Sequence, residues 1–404
     1  MNDEIKQSEI VIKKKNRFEN LGKKFWAVIG IGIFLSLVLS LWFIELFLKY
    51  QFMKERMLEI DQVRSIRLKE YSPNLNVTSF PDNNYMENTF SLIQRKYLLR
   101  TDSDGFILPN GGHSNPDKTI FFLGGSSTET LYVDESNRFP YLVGKILSDK
   151  TNLKINAYNS GVSGNHSLHS LNIFLNKVLP YNPNIVVLKH NFNDLRTLLY
   201  TQSYWNNNFK RSLLYNPAVT DNWLIKQQRL SEAPFLAQWF PELYLRFENA
   251  YFQISKKQFG LAVDEWAPYR GNTYKVDPES IVELYTKSIR SFVSVAKAWE
   301  VEPVLMTQTY IYNAEESDSI SSLFTVPQYS KGHNYLPEDE YFHRRFNDVI
   351  RDVAKNENIV LVDLAKEIPS DTHEYIYDHV HFNDKGSIKA AEIISQNLLP
   401  LISK

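Results

Sequence analysis

Four apolar residues, Ile120, Phe121, Phe122 and Leu123, run straight into Gly124 and Gly125 and then Ser126. So short an apolar run, stopped by two glycines, reads as a buried strand and not as an amphipathic helix. The arrangement returns downstream. Apolar runs at 119–123, 153–158, 184–189, 303–309 and 358–363 alternate with helical patterns, which predicts an α/β domain around a parallel sheet. Asp277 and Pro278 open one helix through Ile281, Tyr285, Ile289, Phe292 and Ala296. Phe342, Phe346, Ile350 and Val353 mark a second between Glu338 and Lys355, and a third follows Asn383. In such sheets reactive groups gather beyond the carboxyl ends of the strands. Ser126 falls there, on a turn whose glycines let a substrate approach the backbone. By itself the stretch reads first as an ordinary Gly-Gly-Ser-Ser turn.

The start of the chain points to a membrane. Lys13, Lys14, Lys15, Arg17, Lys23 and Lys24 precede a run from Phe25 to Ile44 without one charged residue. A helix needs roughly 20 apolar residues to span the hydrocarbon layer. This run exceeds the core of a cleavable signal, and Glu45-Leu46-Phe47-Leu48 follows where a small-residue cleavage site would stand. Residues 25–48 therefore read as an uncleaved signal anchor, with Trp26 and Trp42 near its ends. The basic tail, 1–24, is expected in the cytoplasm and everything beyond Tyr50 outside it, as in a bacterial envelope. A formal net charge of -1 gives no reason to expect a nucleic-acid partner. The absence of cysteine excludes a disulfide framework, a thiolate metal site and a cysteine nucleophile.

Residues 49–117 read as a juxtamembrane stalk followed by turns. Tyr97–Arg100 and Gly105–Leu108, flanking Asp102-Ser103-Asp104, suggest a short hairpin. The α/β domain is expected over 118–404, interrupted at about 200–276 by an aromatic insertion holding Trp205, Trp223, Trp239 and Trp266. These tryptophans are expected in the core, with sugar platforms as the alternative. A polar segment, Asn313 to Pro337, is long enough to form a cover.

Three later clusters bear on Ser126. They are Asn159-Ser160-Gly161-Val162-Ser163-Gly164-Asn165, Asn193-Asp194, and Asp378-His379-Val380-His381. With the Ser126 turn they resemble, in order and spacing, the four blocks of the SGNH (GDSL-type) serine esterases and acyltransferases. The resemblance covers roughly residues 118 to 400. It implies a three-layer, flavodoxin-like sandwich, a Ser126–His381–Asp378 triad, and an oxyanion hole built from Ser126, Gly164 and Asn193. A serine hydroxyl needs a neighbouring imidazole to take its proton, and a carboxylate must hold that imidazole in one tautomer. Fixed donors then stabilise the charge that grows on the carbonyl oxygen. The chain departs from the family pattern in two places. Gly125 stands where an acidic residue usually precedes the nucleophile. Asn191 replaces the glycine two residues before Asn193, which is expected to tighten the oxyanion region or shift Asn193.

Competing assignments are Ser127 as nucleophile and His379 as base. An α/β-hydrolase elbow would require glycine where Thr128 stands. His166 and His169 are spaced as a metal pair but read as a polar helix face; Asp194 and Asp363 read as structural. The leading expectation is a membrane-anchored, extracytoplasmic serine esterase that removes acyl groups, such as acetyl, from a cell-surface glycan or lipid. The rivals are an O-acyltransferase with a multi-spanning acyl-donor partner, and a non-catalytic glycan-binding scaffold. No cofactor and no metal are expected.

Overall fold

The structure, a computed structural model, describes residues 24–51, 65–66, 68–215, 237, 239–244, 246–247, 265–312, 320–328, 336–369 and 373–403. The basic tail, most of the stalk, Trp223 and much of the expected cover segment lie outside these. The chain divides into two compact units, Met1–Val63 with Asn216–Asp264, and Arg64–Tyr215 with Glu265–Lys404.

The first unit contains helix α1, Lys24–Gln51, which is 28 residues long. At 1.5 Å per residue it extends about 42 Å. By length and composition it can cross a membrane, a test that an N-terminal signal sequence also passes. Its apolar side chains are exposed, as lipid contact would require, whereas Glu45 is buried. The Glu45 carboxylate accepts the backbone N–H groups of Glu242 and Leu243, each at 2.9 Å.

The second unit begins with two short antiparallel strands, β1 (Asn76–Ser79) and β2 (Tyr97–Arg100). The expected hairpin is present in short form: Tyr97–Arg100 pairs along its length with β1, while the Arg100 carbonyl accepts the Leu108 N–H at 2.9 Å and the Asp102 N–H donates to the Phe106 carbonyl at 3.0 Å. The Asp102 carboxylate accepts the N–H groups of Asp104 and Phe106, and the resulting tight turn carries the chain away after a single Thr101–Ile107 bridge. Phe106 and Ile107 are buried, and Ile107 bridges to Asn159.

Five parallel strands form the central sheet: β3 (Lys118–Gly124), β4 (Ile155–Gly161), β5 (Ile185–Lys189), β6 (Glu302–Met306) and β7 (Val360–Val362). Their spatial order is β7-β6-β5-β3-β4. Counted from the first strand of the sheet this is 2-1-3-4-5, the flavodoxin-like order. The strand order reverses between β3 and β5, so the crevice outside their carboxyl ends is where ligands bind in such folds.

The helices of this unit include α2 (Ser126–Glu129), α3 (Phe139–Thr151), α4 (Ser167–Ile173), α5 (Phe192–Thr201), α6 (Pro278–Ala298), α7 (Pro337–Asn356) and α8 (Asp384–Ile402), beside short helical turns at Asn83–Met86 and Leu364–Glu367. Alternation along β3 explains the layers. Ile120 and Phe122 join Phe139, Val143 and Leu147 of α3 and Ala391, Ile394 and Leu398 of α8 in one core. Phe121 and Leu123 face the other way, into a core with Tyr285, Ile289 and Phe292 of α6 and Phe346 and Ile350 of α7. All four residues of that apolar run are fully buried, as a strand covered on both faces must be.

The region read as an aromatic insertion contributes small pieces to this unit. Leu214–Tyr215 pairs with Ser65–Ile66, and Thr273–Lys275 with Leu323–Thr325. The tryptophans there do not all enter a core. Trp205 is 67% and Trp239 58% exposed, while Trp266 packs edge-on to Tyr200 at 4.8 Å.

Candidate active site

Ser126 opens α2 immediately beyond β3, so its backbone N–H lies in a helical first turn without an intrahelical partner. Glycine before it has a steric cause. A Cβ on Gly125 would collide with the Asn193 side-chain amide and come within 3.1 Å of the Asn165 carbonyl. The close approach of Asn193 to the Ser126 turn thus depends on glycine at position 125.

Asp378 and His381 come from the loop before α8. Isolated pairing of Ile376 with Phe382, and a 2.9 Å bond from the Tyr377 N–H to the His381 carbonyl, close this loop. One Asp378 oxygen, Oδ1, accepts the N–H groups of Val380 (2.9 Å) and His381 (2.8 Å). The other, Oδ2, lies 2.6 Å from His381 Nδ1, and His381 Nε2 lies 2.7 Å from the Ser126 hydroxyl. With Nδ1–H donating to Asp378, Nε2 is left to accept from Ser126, the tautomer a general base needs. The imidazole stacks on the Tyr377 ring at 5.5 Å. Burial pushes the Asp378 carboxyl up, but the His381 ring and the two backbone N–H groups outweigh it and hold Asp378 below the ordinary aspartate value.

Gly164 adopts a left-handed φ of +77°, which favours glycine. Arg211 binds both sides of this region. Its Nη1 donates to the Gly164 carbonyl and to Asn193 Oδ1, each at 3.1 Å, while Glu265 holds the guanidinium at 2.7 and 2.8 Å. Because Arg211 takes Asn193 Oδ1, the amide nitrogen must face the nucleophile turn, where it donates to the Asn165 carbonyl at 2.8 Å. Among the described residues that accounts for one of its two hydrogens. The second is available to a substrate oxygen.

Asn191 turns away from this centre. Its amide donates to the His343 carbonyl and to Asn347 Oδ1 of α7, both at 2.9 Å. It fastens the start of α5 to α7 and leaves the space beside Asn193 alone, so the expected tightening does not follow from its side chain. Ser127 is buried and accepts from Gln308 at 3.1 Å, while the His379 ring lies over Tyr310 at 5.7 Å. Neither completes the Ser–His–Asp succession. His166 and His169 are fully buried and do not form a polar helix face. Their Nε2 atoms face the Arg211 and Ser212 carbonyls at 3.0 and 3.2 Å, and burial drives both well below the ordinary histidine value. Among the described residues no cluster has the makings of a metal site. Burial raises Asp194 to about 6, and it accepts from Ser167 N–H (3.0 Å) and Tyr204 OH (2.6 Å). Asp363 accepts from Arg351 and Thr307.

Two buried groups beneath the Ser126 turn were not singled out by the sequence. Lys189 ends β5 inside the core, donates to the Ser127 carbonyl at 3.2 Å, and lies 4.4 Å from the Phe382 ring centre. Burial lowers it to about 7. Glu129, three residues after Ser126, is fully buried, and burial raises it to about 7. The signal for Lys189 was a charged residue directly after the apolar Ile185-Val186-Val187-Leu188.

A cleft of about 290 Å³ opens beside Asp378 and His381, lined by Phe192, Arg196, Tyr200, Trp266 and Arg270. A cavity of about 320 Å³ bounded by Leu92, Tyr132, His373 and Asp384 contains none of Ser126, Asp378 and His381, and size alone does not make it the reactive site.

A doubly wound parallel sheet carrying serine, histidine and aspartate in hydrogen-bonded succession at its carboxyl end defines the serine-hydrolase class. Residues 267–394 match the family described as GDSL-like Lipase/Acylhydrolase. The matched stretch contains Asp378 and His381 and excludes Ser126, Gly164 and Asn193. Among solved structures, the chain is similar to a catalytic mutant of the acetylxylan esterase Axe2 from Geobacillus stearothermophilus, at 15% identity. That match covers 71% of this chain and 95% of that one, with a TM-score of 0.39. It is similar also to a putative GDSL-like lipase from Parabacteroides merdae, at 14% identity, 72% and 98% coverage and a TM-score of 0.39. No curated protein matches the chain.

Proposed function

We propose that the chain is a membrane-anchored, extracytoplasmic esterase that uses Ser126, His381 and Asp378 to remove acyl groups, such as acetyl, from a surface glycan or lipid. The observation that carries this reading is the 2.7 Å and 2.6 Å succession from Ser126 through His381 to Asp378. Ser126 Oγ attacks the ester carbonyl carbon while its proton passes to His381 Nε2. The oxygen that gains negative charge receives the N–H groups of Ser126 and Gly164 and the Asn193 amide. His381 then protonates the departing alkoxide, leaving an acyl group on Ser126. Water, deprotonated by the same imidazole, releases the acid and restores the serine. Phe192, Tyr200 and Trp266 give the cleft flat apolar walls, and Arg196 and Arg270 give it polar donors, a lining suited to an alcohol as large as a sugar ring. The anchor reading rests on α1 and on the basic residues before it, which favour a cytoplasmic N-terminus.

The test is acetate release from an O-acetylated polysaccharide by the full-length protein in detergent, beside its Ser126→Ala variant. Release by the wild type and none by the variant is the expected result. Equal release by both would sink the proposal, and acyl transfer to an added sugar without net acetate release would replace hydrolysis by transfer.

A further inference from the structure

The carboxylate of Glu129 is sealed from solvent three residues after the nucleophile, and two hydroxyls meet it. Tyr71 donates to one oxygen and Ser163 to the other. Its backbone carbonyl is held as well, by Thr130 Oγ1 at 2.7 Å and Asn159 Nδ2 at 3.3 Å. Ser163 immediately precedes Gly164, so the peptide linking them carries the N–H that the oxyanion would use. Tyr71 belongs to the segment Leu68–Tyr71, which runs under the same loop. The Lys69 carbonyl accepts from the Asn165 amide at 3.1 Å, and a Cβ on Gly164 would come within 2.7 Å of Lys69 Nζ. One buried carboxylate therefore joins the nucleophile helix, the Gly164 loop and the strap that follows the membrane helix in sequence.

We infer that Glu129 is a positioning residue, which through Ser163 and Tyr71 sets the Ser163–Gly164 peptide against the Ser126 turn. This rests on the ester-hydrolase reading of the site. An apolar residue would fill the same space without a buried charge, and burial raises the Glu129 carboxyl to about 7. A group so disfavoured, lying between nucleophile and oxyanion donors, points to function and not to stability. While the carboxylate is ionised both oxygens act only as acceptors. Once it is protonated one oxygen becomes a donor, and the hydroxyl facing it must turn from donor to acceptor or move away. The titratable and charged groups facing it are Tyr71 from the strap, Lys69 beside it, Tyr132 from the segment after α2, Arg138 from the segment before α3, and His381.

The test uses full-length protein in detergent, p-nitrophenyl acetate as substrate, and Glu129→Gln, which fixes the neutral form at every pH. The expected result at pH 8 is a kcat lowered roughly 10- to 100-fold, as a misplacement near 1 Å produces, with KM nearly unchanged. The wild-type-to-variant ratio should shrink towards 1 as pH falls below 7, because the wild type then becomes neutral too. Tyr71→Phe and Ser163→Ala should show smaller kcat losses, again with KM preserved. A kcat within about 2-fold of wild type at pH 8, or a deficit that stays constant between pH 5 and 9, overturns the inference. Fluorophosphonate labelling separates the two layers. If the wild type is not labelled, the hydrolase reading fails. If wild type and Glu129→Gln are labelled at equal rates, only the role of Glu129 falls.

Discussion

Substituting Asp378 by asparagine separates the orienting role of the carboxylate from its structural one. Oδ1 accepts two backbone N–H groups, at 2.9 and 2.8 Å, and Oδ2 faces His381 Nδ1 at 2.6 Å. In the asparagine side chain of the variant only the carbonyl oxygen can accept, so it must occupy the Oδ1 position. Pointing the amide NH₂ at two backbone donors would leave three donors facing one another. The NH₂ is thereby forced towards Nδ1, which must become an acceptor. The proton moves to Nε2, which now faces Ser126 with a hydrogen and not a lone pair. The loop keeps both backbone bonds, so the melting temperature should change little, by less than about 1 kcal/mol of stability. The chemistry should collapse. A wrong tautomer in such a triad costs about 10⁴ in kcat, equivalent to about 5.4 kcal/mol on the barrier. The assay is steady-state hydrolysis of p-nitrophenyl acetate with a thermal melt on the same preparation. Asp378→Ala provides the contrast, because it also strands two buried N–H groups and should lower the melting temperature. A kcat for Asp378→Asn within 10-fold of wild type, with the fold intact, would refute the tautomer argument.

Two further perturbations test the remainder of the site. Asn193→Ala should lower kcat by about 10²–10³ with little change in KM, since its amide is needed most when the carbonyl oxygen becomes charged; steady-state kinetics decide, and a loss under 3-fold would remove Asn193 from the oxyanion hole. Lys189 is held well below the ordinary lysine value, at about 7, so between about pH 7 and 10 the unfolded chain binds more protons and wild-type stability should rise with pH. Lys189→Met should abolish that slope. It should also be more stable at pH 7, by on the order of 2 kcal/mol once the lost bond to the Ser127 carbonyl is counted; denaturant melts across pH 6–10 check this, and an unchanged slope would contradict it.

Strand positions were legible because each strand is centred on a short apolar run. The run at 119–123 became Lys118–Gly124, and that at 184–189 became Ile185–Lys189. Polar composition hid the rest. The strand expected at 153–158 continues through Asn159, Ser160 and Gly161, whose register partners are Phe122, Leu123 and Gly124. Their polarity read as loop, although the Asn159 side chain is buried and bonded to the nucleophile helix. Conversely, the run expected to reach Thr309 leaves the sheet after Met306, and Thr307 and Gln308 bond Asp363 and Asn347 instead. Ser126, Asp378, His381, Gly164 and Asn193 could be named because their blocks keep local spacing. Arg211, Glu129 and Tyr71 could not. Each acts through a partner more than 30 positions away, and nothing in hydrophobic period or turn chemistry encodes such pairings. Trp205 and Trp239 lie exposed where a core was expected, because aromatic density alone does not distinguish a core from an exposed surface.

The most direct measurement is to treat the full-length protein with a fluorophosphonate and map the adduct by peptide mass spectrometry. The account predicts one adduct, on Ser126, that disappears in Ser126→Ala and slows markedly in Asp378→Asn. An adduct on Ser127 or another residue, or undiminished labelling of Ser126→Ala, would contradict it.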